Sequence, residues 1–210
     1  MPSDSTFTEV KNAFQSIAGL EALTSADEFF LQGSLNRAVS RAYNESDNWP
    51  RYLVVGEERT ISTSPAQTIP YAEGGKDTIG EFLRINRTQP FLRNSALEFE
   101  FYVDSTGAHI FNLTSADADS AFVTYKKELT TGFTPESTNI PSEFVDYIIY
   151  TALSDFYTGD GQTEKAVIAS QTADLMLARE LLRADKSMNN NTVNKKFSTY
   201  VNRQSRWHLI

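Results

Sequence analysis

Apolar residues recur at helical spacing in two consecutive stretches near the N-terminus. Gly19 follows the first stretch and favours the end of a helix at that point. The segment 25–28 (Ser-Ala-Asp-Glu) has the form of a capping box, which predicts the start of a second helix over residues 26–43. The two predicted apolar stripes are Phe7, Val10, Phe14 and Ile17, then Leu31, Leu35, Ala38, Val39 and Ala42.

The apolar pattern changes to strand spacing after Trp49-Pro50, a dipeptide that favours the end of a helix. Residues 51–55, 81–86 and 97–103 are apolar or alternate between apolar and polar residues, which predicts β-strands. Residues 121–129 predict either a further strand or a short helix. The middle of the chain is therefore expected to be rich in β-structure.

The segment 97–103 alternates most regularly, with Glu98, Glu100 and Tyr102 on its expected polar face. Residues 104–107 (Asp-Ser-Thr-Gly) have the chemistry of a tight turn. We therefore expect 97–103 to pair antiparallel with a returning strand in a hairpin. The expected core face consists of Leu97, Phe99, Phe101 and Val103, and the returning strand of residues 108–113.

Helical spacing returns at Pro141 and continues in two stretches separated by Gly159-Asp-Gly161. The second stretch, residues 162–184, is rich in alanine, which lets a neighbouring helix approach closely. We expect an antiparallel helical hairpin that also covers the two N-terminal helices. The stripes are Phe144, Val145, Ile148, Ile149, Ala152, Leu153 and Phe156, then Ala166, Ala169, Ala173, Met176, Leu177 and Leu181.

These patterns predict an α+β fold with a four-helix body at residues 1–50 and 139–186. A central antiparallel β-rich insertion occupies 51–138, and an extended C-terminal arm occupies 187–210. The arm contains apolar side chains without helical spacing, and these are costly to expose, so they are expected to pack on the same subunit or on a partner. The expected partner interface is Lys195, Lys196, Phe197, Tyr200, Arg203, Arg206 and Trp207.

The charge is distributed unevenly along the chain. The total is −8, and the segment from Arg183 onward carries +5, which leaves −13 for the first 182 residues. The acidic total argues against a general nucleic-acid binder. An acidic body with a basic tail favours head-to-tail docking.

Residue types that commonly act as nucleophiles, catalytic bases or transition-metal ligands are scarce in this chain. The chain has no cysteine, which excludes disulfides, thiolate metal sites and cysteine nucleophiles. Its two histidines, His109 and His208, lack metal-ligand spacing and a nucleophile elbow. The glycine-containing segments 74–77 and 159–161 lack the further residues of a phosphate-binding loop and are interpreted as turns.

Pairs of carboxylates could still support hydrolysis of a glycoside. The candidates have simpler interpretations, because they fall in a polar loop, on a solvent-facing strand or at a helix end. They are Asp117 with Asp119, Glu98 with Glu100, and Asp155 with Asp160. We therefore expect neither catalysis nor a metal or other cofactor.

No apolar run approaches the roughly 20 residues of a membrane helix. The N-terminal residues Met-Pro-Ser-Asp lack the layout of a signal peptide. The expectation is a protein made in a cytosol-like compartment, with no membrane among its partners.

Two segments carry a family resemblance. Residues 30–43 contain Leu-Asn-Arg-Ala within a predicted helix and lead to Asn-Trp-Pro at 48–50. Residues 140–157, which begin Ile-Pro-Ser-Glu-Phe, are followed by Gly-Gln-Thr-Glu-Lys-Ala at 161–166 and an alanine-rich helix. In this combination the chain resembles the head-to-tail connector proteins of tailed bacteriophages, also called adaptor, neck or gatekeeper proteins.

The resemblance covers residues 25–50 and 139–185, and the β-rich region and the arm match only in general layout. It implies a structural virion protein, made in the host cytoplasm, that forms a ring at the neck between capsid and tail. The ring, commonly of twelve copies, would contact the portal protein through the arm and a tail tube or nozzle protein on its other side. DNA would pass through the channel during ejection without specific binding, because an acidic wall does not attract phosphates.

The sequence is also compatible with two other functions. A carbohydrate- or receptor-binding virion component could use aromatic residues of the β-rich region to stack on sugars, although aromatics on strands more often belong to the core. The third class is an enzyme with an unmarked acid pair. The aromatic candidates are Tyr52, Tyr71, Phe82, Phe91 and Tyr102.

Overall fold

The computed structural model contains helices and two small antiparallel sheets, which confirms the predicted α+β class. The chain divides into two compact units, a helical unit of Met1–Pro50 with Thr131–Ile210 and a β unit of Arg51–Thr130. The structure describes residues 4–62, 67–90, 98–111, 113 and 119–186, and over 187–205 the backbone only.

The helical unit contains the four predicted helices and a 3-10 turn, Ser142–Phe144. Helix α3 contacts α1, α2 and α4, and its contact with α4 is the most extensive, so the predicted hairpin and the predicted covering of the N-terminal stripes are both confirmed. The helices are α1 (Phe7–Ala18), α2 (Ser25–Asn44), α3 (Val145–Gly159) and α4 (Thr163–Ser205).

Helix α1 begins and ends where its sequence indicates. The Thr6 hydroxyl accepts a hydrogen bond from the Glu9 amide at 3.1 Å, and the Glu9 carboxylate accepts one from the Thr6 amide at 2.8 Å. Gly19 closes the helix with φ of +71°, a left-handed conformation that glycine adopts without strain. Three residues of the predicted stripe are buried, whereas Ile17 is 47% exposed.

The capping box of α2 lies one residue earlier than predicted. Thr24, and not Ser25, is the N-cap, and its partner is Asp27 rather than Glu28. Hydrogen bonds from the hydroxyl and the backbone amide of Thr24 lower the pKa of the Asp27 carboxyl. Glu28 instead pairs with Lys11 of α1. The predicted stripe of α2 is confirmed, because all five of its residues are buried.

Helix α4 is assigned to Thr163–Ser205, past the end that was predicted at residue 184. Its alanines face α3 as expected, and Ala166, Ala169 and Ala173 are buried. The predicted arm, residues 187–210, lies outside the part of the chain whose side chains are described. What the arm contacts therefore stays a prediction.

A loop before α3 belongs to the helical unit, although the predicted insertion continued to residue 138. The amide group of Asn36 accepts a hydrogen bond from the backbone nitrogen of Phe133 at 2.8 Å and donates one to its carbonyl at 3.0 Å. The Gln32 side chain donates to the same carbonyl at 3.0 Å. The buried Phe133 side chain and the bridge between Ser5 and Ile140 hold the rest of this loop. These contacts explain why the β unit ends at Thr130.

The β unit consists of two three-stranded antiparallel sheets, with strand orders β1-β6-β3 and β2-β5-β4. Both sheets contribute to one apolar core, which includes Ile69 and Ala108 from the second sheet and Ile85 and Val123 from the first. The strands are β1 (Leu53–Thr60), β2 (Thr68–Pro70), β3 (Ile79–Asn86), β4 (Phe101–Asp104), β5 (Gly107–Ile110) and β6 (Ser120–Lys127).

The predicted strands are largely present, with shifted ends. The first begins at Leu53 rather than 51 and continues to Thr60, and the segment that could be strand or helix is strand β6. The predicted hairpin is formed by β4 and β5. Gly107 follows the turn between the two strands. Only glycine fits at this position, because a Cβ would lie 2.1 Å from the carbonyl oxygen of Ile69.

The predicted core face of the hairpin is only partly correct. Phe99 and Phe101 pack against the core, but Val103 is 45% exposed, because β4 is a short strand at the edge of its sheet. Leu97 lies outside the described residues. Tyr102, predicted on the polar face, is 49% exposed.

Candidate functional site

The site predicted from sequence lies in the C-terminal arm. All seven of its residues fall outside the part of the chain whose side chains are described, so their proximity to one another is not established. They are Lys195, Lys196, Phe197, Tyr200, Arg203, Arg206 and Trp207. The described residues instead show three other features: two exposed apolar surfaces on the helical unit, and a polar aromatic cluster on the β unit.

The first surface is the α4 row, which we define as Ile168, Leu175 and Leu182. These side chains are 64%, 61% and 60% exposed, respectively. They follow one another at intervals of seven residues, which places them on one side of the helix. Leu177, on the opposite side, is buried. Helix α4 is therefore apolar on two faces, of which α3 covers one.

The second surface is the α2 pair, which we define as Phe29 and Phe30. Phe29 is 78% exposed and Phe30 36% exposed. The pair directly follows the acidic first turn of α2, where Asp27 and Glu28 lie. Large aromatic side chains that remain in water are costly, and such patches commonly mark a contact surface.

The partly exposed carboxylate of Asp155, one of the acids singled out in the sequence, makes hydrogen bonds within the helical unit. It accepts hydrogen bonds from the hydroxyl of Ser34 at 2.9 Å and from the guanidinium of Arg37 at 3.1 Å. The same guanidinium group donates to Ser34 at 3.0 Å. Its sequence partner as a candidate acid, Asp160, accepts a bond from the Gln162 side chain. The network connects α2 to α3.

On the β unit, the outer face of β4 and β5 carries exposed aromatic rings. Tyr102 stacks on His109 with ring centroids 4.6 Å apart and an interplanar angle of 9°. The ring of Phe111 is 47% exposed, and its centroid lies 5.3 Å from that of the Tyr102 ring. Tyr52 and Phe82, two other aromatic candidates from the sequence, are buried, so core packing accounts for them. Phe91, a further candidate, lies outside the described residues.

Both nitrogens of His109 have hydrogen-bond partners. Nδ1 lies 2.9 Å from the hydroxyl of Thr68, and Nε2 lies 2.9 Å from Asp104 and 3.0 Å from Thr106. Hydrogen bonds from the hydroxyl and the backbone amide of Thr106 lower the pKa of the Asp104 carboxyl to about 2, and His109 adds to this effect.

This arrangement contains a hydroxyl, an imidazole and a carboxylate in sequence, as a nucleophilic relay would. However, Thr68 is only 2% exposed, so its hydroxyl has no room for a substrate. It also lies within strand β2 and not on a sharp turn that would present it to solvent. The cluster is therefore better explained as a hydrogen-bond network that fixes the His109 ring beneath Tyr102.

A buried charge in the β unit was not predicted from the sequence. Arg59 is fully buried, and its Nη2 donates to the hydroxyl of Tyr125 at 2.6 Å and to the carbonyl of Asp77 at 2.6 Å. It also pairs with Glu57 at 2.7 Å, and Tyr125 donates to that carboxylate at 2.8 Å. Burial, together with the Glu57 bond, raises the pKa of Tyr125 to about 12. No described group bonds Nε or Nη1 of Arg59.

Within residues 4–62, 67–90, 98–111, 113 and 119–186, no group of three or more histidine, aspartate or glutamate side chains could hold a metal ion. None of the helices, searched over the same part of the chain, combines the length and the apolar character that crossing a bilayer requires. Neither a model of a known protein family nor a curated protein matches the sequence.

Proposed function

We propose that this chain is a structural virion subunit that assembles into a ring between the portal and the tail. The observation that carries the proposal is the presence of two different exposed apolar surfaces, the α4 row and the α2 pair, on one compact unit. A subunit that contacts two neighbours through two unlike surfaces forms a closed ring when the rotations from each copy to the next add up to one full turn. Such surfaces would be a liability on a protein that works alone.

The family resemblance supports the same proposal. Its two segments, residues 25–50 and 139–185, both belong to the helical unit and include α2, α3 and the first half of α4. By this resemblance the ring has about twelve copies, contacts the portal protein on one side and contacts a tail tube or nozzle protein on the other. The protein's place is then the neck of the virion.

The negative charge of the first 182 residues supports the proposal that DNA passes through the ring. The first 182 residues carry −13, so a ring of many copies would have a strongly acidic body. A wall of this sign does not hold phosphates, and DNA would pass without specific binding. The proposal assigns no catalytic step and no cofactor to the chain.

We expect the full-length chain to co-sediment with portal rings encoded by the same genome. Deletion of residues 188–210 is expected to abolish co-sedimentation, because the basic and aromatic residues of the arm are then missing. Circular dichroism should show that the helical unit of the truncated chain remains folded. A matched variant replaces Lys195, Lys196, Arg203 and Arg206 with glutamine at unchanged length, and its binding should become weaker and less dependent on salt.

Two results would count against these assignments. If the truncated chain attached to the portal as well as the full-length chain does, the arm would not be the docking segment. If the full-length chain did not bind its cognate portal under any salt condition, the proposed function itself would be wrong.

A second candidate function, a carbohydrate- or receptor-binding virion component, is favoured by the exposed rings of Tyr102 and Phe111. Aromatic faces beside carboxylates such as Asp104 and Glu100 suit stacking on a sugar with hydrogen bonds to its hydroxyls. On this hypothesis, Tyr102→Ala should weaken binding to host-surface oligosaccharides about fivefold, since an aromatic contact is worth about 1 kcal/mol.

The matched control is Val103→Ala, since Val103 is similarly exposed but points to the other face of β4. Binding should be measured by titration calorimetry against isolated host-surface oligosaccharides. The hypothesis fails if the wild-type chain binds none of them, or if Tyr102→Ala and Val103→Ala bind equally well.

A further inference from the structure

Among the described strands, β1 lies at an edge of its sheet, where outward backbone groups can pair with a strand of another chain. On the inner side of the strand, the amide of Ile61 donates to the carbonyl of Asp119 at 2.8 Å. Bonded and non-bonded pairs alternate along an antiparallel ladder, so Thr60 and Glu58 direct their backbone N–H and C=O groups away from β6. Residues 58–60 therefore form an outward edge of the β unit.

Two side chains from the loop between β2 and β3 occupy this edge, and we call them the edge clamp. The carboxylate of Glu73 accepts hydrogen bonds from the backbone amide of Thr60 at 3.3 Å and from its hydroxyl at 3.0 Å. The ammonium group of Lys76 donates to the carbonyl of Glu58. One outward donor and one outward acceptor of β1 are thus bonded by side chains instead of by a neighbouring strand.

The loop holds the two side chains of the edge clamp next to each other. The amide of Lys76 donates to the carbonyl of Glu73 at 3.1 Å, which closes a tight turn over residues 73–76 (Glu-Gly-Gly-Lys). The two charged groups are 2.9 Å apart, and the side chains of Lys76 and Glu73 are only 27% and 22% exposed, respectively. The sequence segment that resembled an incomplete phosphate-binding loop therefore serves to place a charged pair on the edge of β1.

Other features cover the edge of β1 on either side of the clamp. Ser62 exchanges backbone hydrogen bonds with Thr68 at 2.7 and 3.2 Å, which continues the pairing into the second sheet. Nearer the start of the strand, a bulge between Val54 and Glu57 interrupts the regular ladder. Bulges of this kind commonly prevent edge pairing. Residues 58–60 are therefore the stretch of the edge that depends on the clamp.

We infer that the edge clamp keeps β1 from pairing with a strand of a second copy of this chain. Outward N–H and C=O groups on a sheet edge can add a strand from a neighbouring molecule, and the clamp satisfies these groups within the chain. It therefore acts as an autoinhibitory contact against self-association. The inference concerns the β unit alone, goes beyond the proposed function and does not depend on it.

Removal of the clamp tests the inference in the full-length chain. Glu73→Ala with Lys76→Ala, the clamp-deleted variant, is expected to self-associate at a concentration about tenfold lower than the wild type, because two backbone groups become available for intermolecular hydrogen bonds. Sedimentation velocity over a concentration series measures this change, and the infrared amide I band should show added intermolecular β-structure. The control, Arg84→Ala with Glu98→Ala, also removes two opposite charges from the β unit, and it should associate as the wild type does.

A further variant separates edge pairing from aggregation of unfolded protein. Glu58→Pro removes the outward N–H of residue 58, and proline is tolerated at such a position of an edge strand, where it prevents pairing with another strand. Combined with the clamp-deleted variant, this substitution is expected to restore wild-type association. If the triple variant associated as strongly as the clamp-deleted variant does, the association would not involve the edge of β1 and the inference would be wrong.

Two further results would overturn the inference. One is unchanged association of the clamp-deleted variant up to the highest attainable concentration, and the other is equal association of the clamp-deleted variant and its control. Neither result bears on portal binding, which is measured separately. Conversely, a chain that never binds a portal but pairs through β1 once the clamp is removed would support the inference and contradict the proposed function.

Discussion

Replacing Trp49 with alanine is expected to lower the free energy of unfolding of the helical unit by about 3–5 kcal/mol. The side chain is 2% exposed and meets Phe144 edge to face, with ring centroids 4.9 Å apart. Its indole nitrogen donates to the carbonyl of Ala42, near the end of α2, at 3.0 Å. The substitution therefore removes a large buried ring and one of the two donors to the Ala42 carbonyl, which keeps only the backbone amide of Glu45 at 3.3 Å.

The measurement is urea denaturation followed by far-ultraviolet circular dichroism, which reports on the helical unit because all the helices assigned in the structure belong to it. Phe29→Ala is the control, since its ring is 78% exposed and its loss should change stability by less than about 0.5 kcal/mol. Equal effects of the two substitutions would show that Trp49 is not a core residue.

Replacing Glu57 with alanine is expected to destabilise the β unit by about 3–5 kcal/mol, because the fully buried guanidinium of Arg59 then loses its counter-charge. The neighbouring Glu58 is exposed and is the matched control, with an expected cost of about 1 kcal/mol or less. The double variant Glu57→Leu with Arg59→Met should recover much of the loss, since apolar residues can replace a buried ion pair. Chemical denaturation followed by tyrosine fluorescence would measure all four proteins.

The same network predicts a dependence on alkaline pH. The pKa of Tyr125 in the folded protein is about 12, above its ordinary value of about 10. The stabilisation linked to the protonated phenol is therefore complete below pH of about 10 and is lost as the pH rises through about 12. Glu57→Ala removes one cause of the raised pKa, so tyrosinate absorbance should develop at lower pH in this variant. An unchanged titration would contradict the hydrogen bond between Tyr125 and Glu57.

The helical spacing of apolar residues in the sequence correctly predicts most of the buried faces of α1 and α2. The predicted stripes of α1 and α2 are buried apart from Ile17, because burial of one face sets the spacing of apolar residues in any such helix. The cap of α2 was misplaced because Thr24 and Ser25 both have a carboxylate three residues later. Only the backbone geometry determines which of the two begins the helix.

The buried charge could not be predicted from local sequence. Residues 57–60 (Glu-Glu-Arg-Thr) have the composition of an exposed strand. Arg59 is nevertheless buried, because its partner Tyr125 comes from β6, 66 residues away along the chain. A single sequence carries no signal for such a distant pairing.

The α4 row was visible in the sequence but was not predicted as a site. Its seven-residue interval can be read directly from Ile168, Leu175 and Leu182. The alanine-rich stripe on the opposite side already predicts one buried face for α4. The apolar content of the helix was therefore explained without a second contact surface. A helix with apolar residues on both sides indicates a second contact, and that signal was available.

The most direct test of the ring-forming function is single-particle imaging of the chain mixed with portal rings from the same genome. We expect a second ring, coaxial with the portal, in which copies of this chain surround a continuous central channel. Small discrete oligomers without a channel, or portal rings that remain bare at saturating concentrations of the chain, would contradict it.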